Sequence, residues 1–169
     1  MPVDDLKEKK GKWLLDSACS RHMTGDKRDL VKYKQFDKKN KEETQYVTLA
    51  DKSVIRAEGQ GNLNVNLFDE FGKKVPVTFY DVLYVPNMER LVSVGQLTKR
   101  GAEVTFRQDS AILNIRGRLF QFGTRLGKLF KMNWCNFVSV YETEPEENRE
   151  KIEPEENREK IEPEENREN

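Results

Sequence analysis

Hydrophobic and polar residues alternate along much of the chain with the two-residue period of β-strands. Residues 63–67 place leucine and valine between asparagines, which predicts a strand with one buried face. Two further apolar runs, 46–49 and 54–57, flank the turn-forming segment 50–53, so a β-hairpin is expected there. Such short strands, arriving about every 8 to 12 residues, are typical of a small β-barrel or sandwich.

The remaining pattern adds more strands and one helix. An apolar run at Trp13–Leu15 ends at Asp16, and strands are expected at 75–80 and 82–85. Apolar residues at helical spacing ahead of Gly101 predict a helix over 91–100. Further strands are predicted at 104–106 and 112–115, and one or two more within 119–134.

The C-terminal segment repeats itself every nine residues. Glu144–Ile152 recurs as Glu153–Ile161, and a third copy runs from Glu162 to Asn169. Each copy offers one large apolar residue at most, too little burial to offset the entropy of ordering it. We therefore divide the chain into a lysine-rich arm (1–11), a β-barrel domain (12–141) and an acidic tail (142–169) predicted to be disordered.

Charge is balanced overall but unevenly distributed. The chain of 169 residues has 30 basic and 30 acidic side chains. The tail holds 13 glutamates against five basic residues, a net charge of −8, so the remaining 141 residues carry +8. A mean hydropathy of -0.87 and the lack of an apolar run near the roughly 20 residues of a membrane span exclude a membrane protein. The N-terminal sequence has no apolar signal segment, so a cytoplasmic or nuclear location is expected.

Few residues offer chemistry. Asp16 and Ser17 follow a buried strand, a pattern that by itself is more often a turn or helix cap than a catalytic site. His22 is the only histidine, and Cys19 beside it lacks a third orienting group, so a cysteine peptidase is disfavoured. Cys135 is interpreted as a packed or exposed thiol. With two cysteines and one histidine the chain cannot supply a four-ligand zinc site, and neither a metal nor a cofactor is expected.

The wider context changes the interpretation of Asp16. The segment Asp16–Gly25 resembles the start of the protease region in Ty1/copia-type retrotransposon polyproteins. The resemblance continues, in the family's order, through Val47–Val54, Gly59–Gly61, Asp81–Pro86 and Leu91–Leu97, and covers about residues 12–134 in all. The acidic repeat lies outside the family pattern.

The resemblance implies a mainly β fold: a small closed barrel of the retropepsin type with one short helix, acting as an aspartic endopeptidase on a Gag-Pol-like polyprotein. Asp16 matches the catalytic aspartate, and Ser17 matches the small hydroxyl residue of the active-site loop. Ala18 replaces the family's glycine, and Ser93 falls beside the active-site loop, where retropepsins have glycine. The expected substrate flap consists of Ala50, Asp51, Lys52 and Ser53.

Aspartic peptidase chemistry also makes a prediction about assembly. Two carboxylates must share one proton, so that one accepts a proton from water while the other donates to the scissile carbonyl. The chain contains one Asp-Ser motif that directly follows an apolar strand, at Asp16-Ser17. A symmetric homodimer with one Asp16 from each subunit is therefore expected, with a polypeptide as substrate.

Two other functions remain open. The barrel could have lost catalysis and serve as a binding or assembly module, which Ala18 and the added tail favour. The basic body could also contact nucleic acid weakly, although its lysines are interspersed with acidic residues. Gly59–Gly61 is not followed by the Lys-Ser/Thr of a phosphate loop and is interpreted as a bend or bulge in a strand.

Overall fold

The alternating apolar positions of the sequence build one large, mainly antiparallel sheet. The computed structural model describes residues 11–49 and 51–134, together with the backbone of residues 150–151. The strands are β1 (Trp13–Asp16), β2 (Met23–Thr24), β3 (Val31–Gln35), β4 (Tyr46–Thr48), β5 (Val54–Arg56), β6 (Gly59–Phe68), β7 (Lys74–Tyr84), β8 (Arg90–Ser93), β9 (Glu103–Phe106), β10 (Ser110–Ile115), β11 (Arg118–Leu126), β12 (Leu129–Met132) and β13 (Glu150–Lys151). A 3-10 turn at Lys27–Asp29 and one short helix, α1 (Val94–Lys99), accompany them.

The sheet is open, and the prediction of a closed barrel is wrong in this respect. Its strands follow the order β3-β6-β7-β2-β8-β1-β12-β11-β10-β9, with β13 added beside β7, and β4 and β5 form a separate hairpin. Within the described ranges no ladder joins the end strands β3 and β9. Exposed lysines, Lys32 and Lys34, and an irregular register along β3 hinder further pairing at that edge. The sheet curls, since Asp69 forms an isolated bridge with Phe120 of β11.

The main hydrophobic core lies where this curled sheet folds over itself. Leu63, Val65 and Leu67, whose alternation predicted a strand, are fully buried in it. Phe79 of β7 and Phe122 of β11 meet there with their ring centroids 6.3 Å apart. Burial of such apolar side chains is the dominant favourable contribution to folding, so this contact between distant strands fixes the overall shape.

The segment predicted as one helix over 91–100 is divided into a strand and a helix. Residues 90–93 form β8, which pairs in parallel with β1, and the helix begins only at Val94. Local spacing favoured a helix, but β8 fills the gap between β1 and β2 in the sheet, and that tertiary pairing prevails. Ser93 caps the helix, its side chain accepting a hydrogen bond from the Gln96 N–H.

A buried ion pair holds β8 in place. Arg90 donates from Nε to Asp29 Oδ2 at 2.6 Å and from its terminal nitrogen to Asp29 Oδ1 at 3.1 Å. Thr24 of β2 donates to the same carboxylate at 2.5 Å. This two-pronged pairing links the 3-10 turn, β2 and β8, and it satisfies a carboxylate that would otherwise be costly to bury.

Several sequence predictions are confirmed at the level of single elements. The hairpin over 46–57, the strand ending at Asp16 and two further strands after residue 118 all form. The expected strands at 75–80 and 82–85 are one strand, β7, with a β-bulge where the register shifts opposite Gly61 and Leu63. The predicted disorder of the tail falls almost wholly outside the described residues; Glu150–Lys151 form a two-residue strand on β7.

Candidate active-site loop

Asp16 lies at the carboxyl end of β1, in the middle of the large sheet. β1 is flanked by β12 on one side and by β8 on the other, and Trp13, Leu14 and Leu15 are all buried. The parallel register sets Asp16 opposite Ser93 of β8. A buried apolar strand thus delivers the carboxylate to the start of the loop that leads to β2, where Asp16 is half-buried and the next two residues are exposed.

The loop orients the Asp16 carboxylate through its own backbone. Ala18 N–H donates to Asp16 Oδ1 at 2.8 Å. The backbone of Ala18 lies outside the left-handed region, so its conformation does not require glycine. Alanine therefore adopts the backbone conformation of this position without strain.

Ser93 connects this loop to helix α1. Its hydroxyl donates to the Cys19 carbonyl at 2.7 Å and accepts from Gln96 N–H at 3.0 Å, while its own N–H donates to His22 Nδ1 at 2.9 Å. Ser93 is fully buried. Two of these hydrogen bonds, to Cys19 and His22, hold the loop, and the third caps helix α1.

His22 and Cys19 are structural rather than reactive. Burial, together with the positive charges of Arg100 and Arg21, lowers the pKa of His22 to about 3, so its imidazole is neutral and can accept from Ser93. Burial and the negative charge of Asp16 raise the pKa of the Cys19 thiol to about 11. A thiol with so high a pKa is a poor nucleophile, which agrees with the sequence argument against a cysteine peptidase.

The hairpin expected to act as a flap is anchored beside this loop. Val47 and Ile55 pack against a second apolar cluster built on Met23 and Leu83, and Cys19 packs against the same cluster. The other face of the hairpin exposes Tyr46 (63%) and Val54 (58%) to solvent.

At the hairpin tip, Asp51, Lys52 and Ser53 form an exposed turn, and Ala50 lies outside the described residues. Asp51 Oδ1 accepts from Ser53 N–H at 2.9 Å, and Lys52 adopts a positive φ of 67°. These contacts give the tip a defined turn, with nothing from the sheet packed over its three described side chains.

A group of charged residues that the sequence analysis did not single out joins the loop to the hairpin. Arg21 donates to Gln45 Oε1 at 2.5 Å and to the Asp81 carbonyl at 3.2 Å. Arg100 donates to Asp81 Oδ2 at 3.0 Å. Asp81 lies in the β7 bulge with a φ of 56°. These partners are 24 and 60 residues from Arg21 in sequence, so no local pattern could have revealed them.

A cleft, the basic region and Cys135 lie away from the Asp16 loop or outside the described residues. A cleft of about 260 Å³ is at the opposite end of β1, lined by Lys12, Phe68, Lys131, Met132, Asn133 and Trp134. In the basic region, Lys34 is paired with Glu43 at 2.8 Å and Lys27 lies 4.4 Å from the ring centroid of Tyr33. Cys135 falls outside the described residues.

The described part of the chain was compared with the requirements of a metal site and of a membrane-spanning helix. Within residues 11–49 and 51–134, no group of three or more His, Cys, Asp or Glu side chains is arranged to hold a metal ion. Among those same residues, no helix has the length and apolar character that crossing a membrane requires.

Comparison with known families identifies the β-domain. The family described as "Pol polyprotein, beta-barrel domain" matches residues 13–102, from β1 to the residue after Gly101. No curated protein and no solved structure gave a match. The matched segment is 90 of the 169 residues and contains the Asp16 loop, the β4–β5 hairpin and Ser93. The chain therefore belongs to the Pol polyprotein β-barrel domain family, which supports an origin in a retroelement Pol polyprotein.

Proposed function

We propose that this domain is an aspartic endopeptidase of the Ty1/copia type that cleaves a Gag-Pol-like polyprotein as a symmetric homodimer. The observation that carries the proposal is the placement of Asp16. The carboxylate stands at the end of a buried central strand, in a loop fixed by the Ala18 N–H and by Ser93. A general acid or base needs such a fixed position, because a displacement of one ångström weakens proton transfer severely.

The dimer follows from the chemistry of the reaction. Two carboxylates in contact cannot both be ionised easily, so one holds the shared proton and the other activates water. Each chain supplies one Asp16, and Ser17 and Ala18 beside it are exposed on the subunit surface. A two-fold axis at this loop would bring the two carboxylates together and bury the exposed loop residues.

The β4–β5 hairpin is the proposed substrate flap. Its inner residues, Val47 and Ile55, share an apolar cluster with Cys19, which is three residues from Asp16. Arg21 ties the active-site loop to Gln45 at the base of the hairpin. A polypeptide lying over Asp16 would thus pass beneath the hairpin, with Asp51, Lys52 and Ser53 at its tip.

The direct test is cleavage of a Gag-Pol-like polyprotein by the wild-type chain and by Asp16→Asn at mildly acidic pH. Asparagine retains an oxygen that can accept from Ala18 N–H, so we expect the variant to fold and dimerise normally. We expect cleavage to fall at least about a thousandfold, because the amide cannot exchange the shared proton. Equal cleavage by the two proteins would refute the peptidase proposal.

The second candidate is a binding or assembly module that kept the fold without catalysis. The exposed Tyr46 and Val54 on the outer face of the hairpin favour it, since exposed aromatic and apolar side chains often mark contact surfaces. A polyprotein that binds both wild type and Asp16→Asn with equal affinity, and that neither protein cleaves, would support this function over the first.

A further inference from the structure

The first half of β7 has one side that the main sheet leaves open. Along its whole length β7 pairs with β6, and on its other side β2 pairs only with Leu83 and Tyr84. In the described part of the chain, the other side of residues 75–80 is paired by β13 alone. An open edge of this kind exposes backbone donors and acceptors that can pair with an added strand.

The bulge at Asp81 determines which backbone groups face that open side. Leu83 N–H points away from β6, since it donates to the His22 carbonyl at 2.9 Å. Between the Gly61–Val82 and Leu63–Phe79 pairs, β7 has one residue more than β6. This bulge reverses which residues of β7 direct their backbone N–H and C=O groups away from β6. Pro76 and Thr78 therefore face the open side. Proline without an N–H is tolerated in a sheet at such an edge, which agrees with this assignment.

The register of β13 fits these outward groups. Glu150 lies opposite Val77 and Lys151 opposite Thr78, in parallel. In a parallel ladder with this register, Thr78 N–H is directed at the Glu150 carbonyl, and the Pro76 carbonyl is directed at Glu150 N–H. Because Pro76 has no N–H, Thr78 is the first outward-facing residue of this edge that can donate to an added strand. β13 pairs at this point, opposite Val77 and Thr78.

The sequence of the tail repeats the paired residues. Glu150-Lys151-Ile152 recurs as Glu159-Lys160-Ile161, and the third copy has Glu168 at the equivalent place. The residues before Glu150 include two glutamates, and Lys73 and Lys74, before Val77, are exposed. The tail and the start of β7 thus carry charges of opposite sign in their sequences, and opposite charges on paired strands attract.

We propose that the open edge of β7, from Pro76 to Thr78, is a strand-addition site for the Glu-Lys-Ile sequence of the chain's own tail. The first two copies of the repeat, which both contain Glu-Lys-Ile, are interchangeable occupants. Glu150 is 16 positions after Trp134 in the sequence, and Glu159 is 25 positions after it. Loop closure over the longer segment lowers the effective concentration only about twofold, so the second copy replaces the first when the first is disabled.

Amide hydrogen exchange of the full chain tests this proposal at Thr78. Glu150→Pro removes the N–H that faces Pro76, and we expect Thr78 protection to fall about threefold while the second copy remains available. With Glu150→Pro, Glu159→Pro and Glu168→Pro combined, we expect Thr78 to exchange like an unpaired amide. The same three positions changed to alanine keep their N–H groups and should retain most of the protection.

The neighbouring amides and the protein concentration supply the controls. Val77 N–H faces β6 and should stay protected in every variant. Unchanged Thr78 protection in the triple proline variant, or equal loss at Val77 and Thr78, would overturn the proposed site. Complete loss with Glu150→Pro alone would overturn the interchangeability of the copies. Protection that rises with protein concentration would assign the edge to the tail of a second copy, against the proposal.

Discussion

Ser93 is the residue through which the Asp16 loop, helix α1 and His22 are joined. Ser93→Ala leaves the Cys19 carbonyl and the Gln96 N–H without their partner while adding no new contact. Loss of a helix cap and of a buried hydrogen bond together predicts a decrease of about 1–3 kcal/mol in the free energy of unfolding. Urea denaturation measures it.

Thr98→Ala is the matched control for Ser93→Ala. Thr98 is exposed on α1 and its hydroxyl donates to the Gly95 carbonyl at 3.1 Å. We expect that substitution to change the free energy of unfolding by less than about 0.5 kcal/mol. If Ser93→Ala were equally mild, the two hydrogen bonds of the Ser93 hydroxyl, to Cys19 and Gln96, would not stabilise this part of the fold.

His22 predicts how stability depends on pH. Its pKa is about 3 in the folded chain, held down by burial and by Arg100 and Arg21, against about 6.5 when unfolded. A lowered pKa means that the unfolded chain binds the proton more readily. The contribution of neutral His22 is therefore fully present above pH 6.5 and is lost as the pH falls toward 3. The slope approaches about 1.4 kcal/mol per pH unit.

The measurement is the free energy of unfolding between pH 7 and pH 4 for wild type and for His22→Asn. Asparagine can still accept from Ser93 N–H but does not titrate, so the variant should show the shallower decline. Asp26, whose pKa is lowered to about 2 mainly by its hydrogen bond with Arg28, contributes chiefly below this range. Parallel curves for the two proteins would contradict the assignment of this slope to His22.

A glycine substitution at Ala18 tests whether alanine strains the Asp16 loop. The backbone of Ala18 is outside the left-handed region, so glycine offers no relief and only adds freedom to the unfolded chain. We expect Ala18→Gly to lower the free energy of unfolding by about 0.4–1 kcal/mol. An increase in stability, measured by the same denaturation, would show that alanine strains the loop.

For single residues, the sequence predicted where a residue lies in its strand or loop more readily than which distant residues it contacts. The place of Asp16 could be predicted because an apolar run leads directly to it, and the structure sets it at the end of β1. The Arg21–Asp81–Arg100 group and the convergence on Ser93 depend on contacts between residues far apart in sequence. Such contacts follow from the path of the strands, which local patterns do not encode.

At the scale of elements, the inner face of the β4–β5 hairpin is expected to stabilise the fold, and the outer face is not. Ile55 packs inward on the second apolar cluster, whereas its neighbour Val54 is 58% exposed. Ile55→Ala should lower the free energy of unfolding by about 1–2 kcal/mol, since a half-buried side chain loses part of its burial. Val54→Ala should leave stability within about 0.5 kcal/mol and should leave KM for polyprotein cleavage unchanged, because Val54 lies on the outer face, away from a polypeptide beneath the hairpin.

Thermal denaturation and steady-state cleavage assays distinguish these two effects. A raised KM for Val54→Ala would contradict a substrate path confined to the inner face of the hairpin. Equal destabilisation by both substitutions would instead show that the hairpin does not have the inner and outer faces described above.

Elements defined by local alternation or by a turn were predictable, and elements defined by pairing were not. The hairpin and β6 carry their own periodicity. β8 has helical spacing in its sequence, and only its position between β1 and β2 makes it a strand. In β7, Asp81 interrupts the apolar pattern, so the sequence predicted two strands. The structure has one strand, which continues through a bulge at this point.

At the scale of the whole molecule, the retroelement Pol origin and the mainly β architecture agree with the prediction from sequence, while the predicted closure of the sheet is wrong. A barrel closes only when the end strands meet in register. Here β3 and β9 end the sheet, and the contact between Asp69 and Phe120 brings its two halves together without a continuous ladder. Composition and strand spacing do not distinguish these two arrangements.

The whole-molecule claim is that catalysis requires an Asp16 from each of two subunits. The most direct measurement is polyprotein cleavage by wild-type chain that has been unfolded and refolded together with an equal amount of Asp16→Asn. If both carboxylates are needed, random pairing leaves about one quarter of the dimers active, and cleavage per total protein falls to about one quarter of the wild-type value. A value near one half would mean that each subunit acts alone, and it would contradict the shared active site.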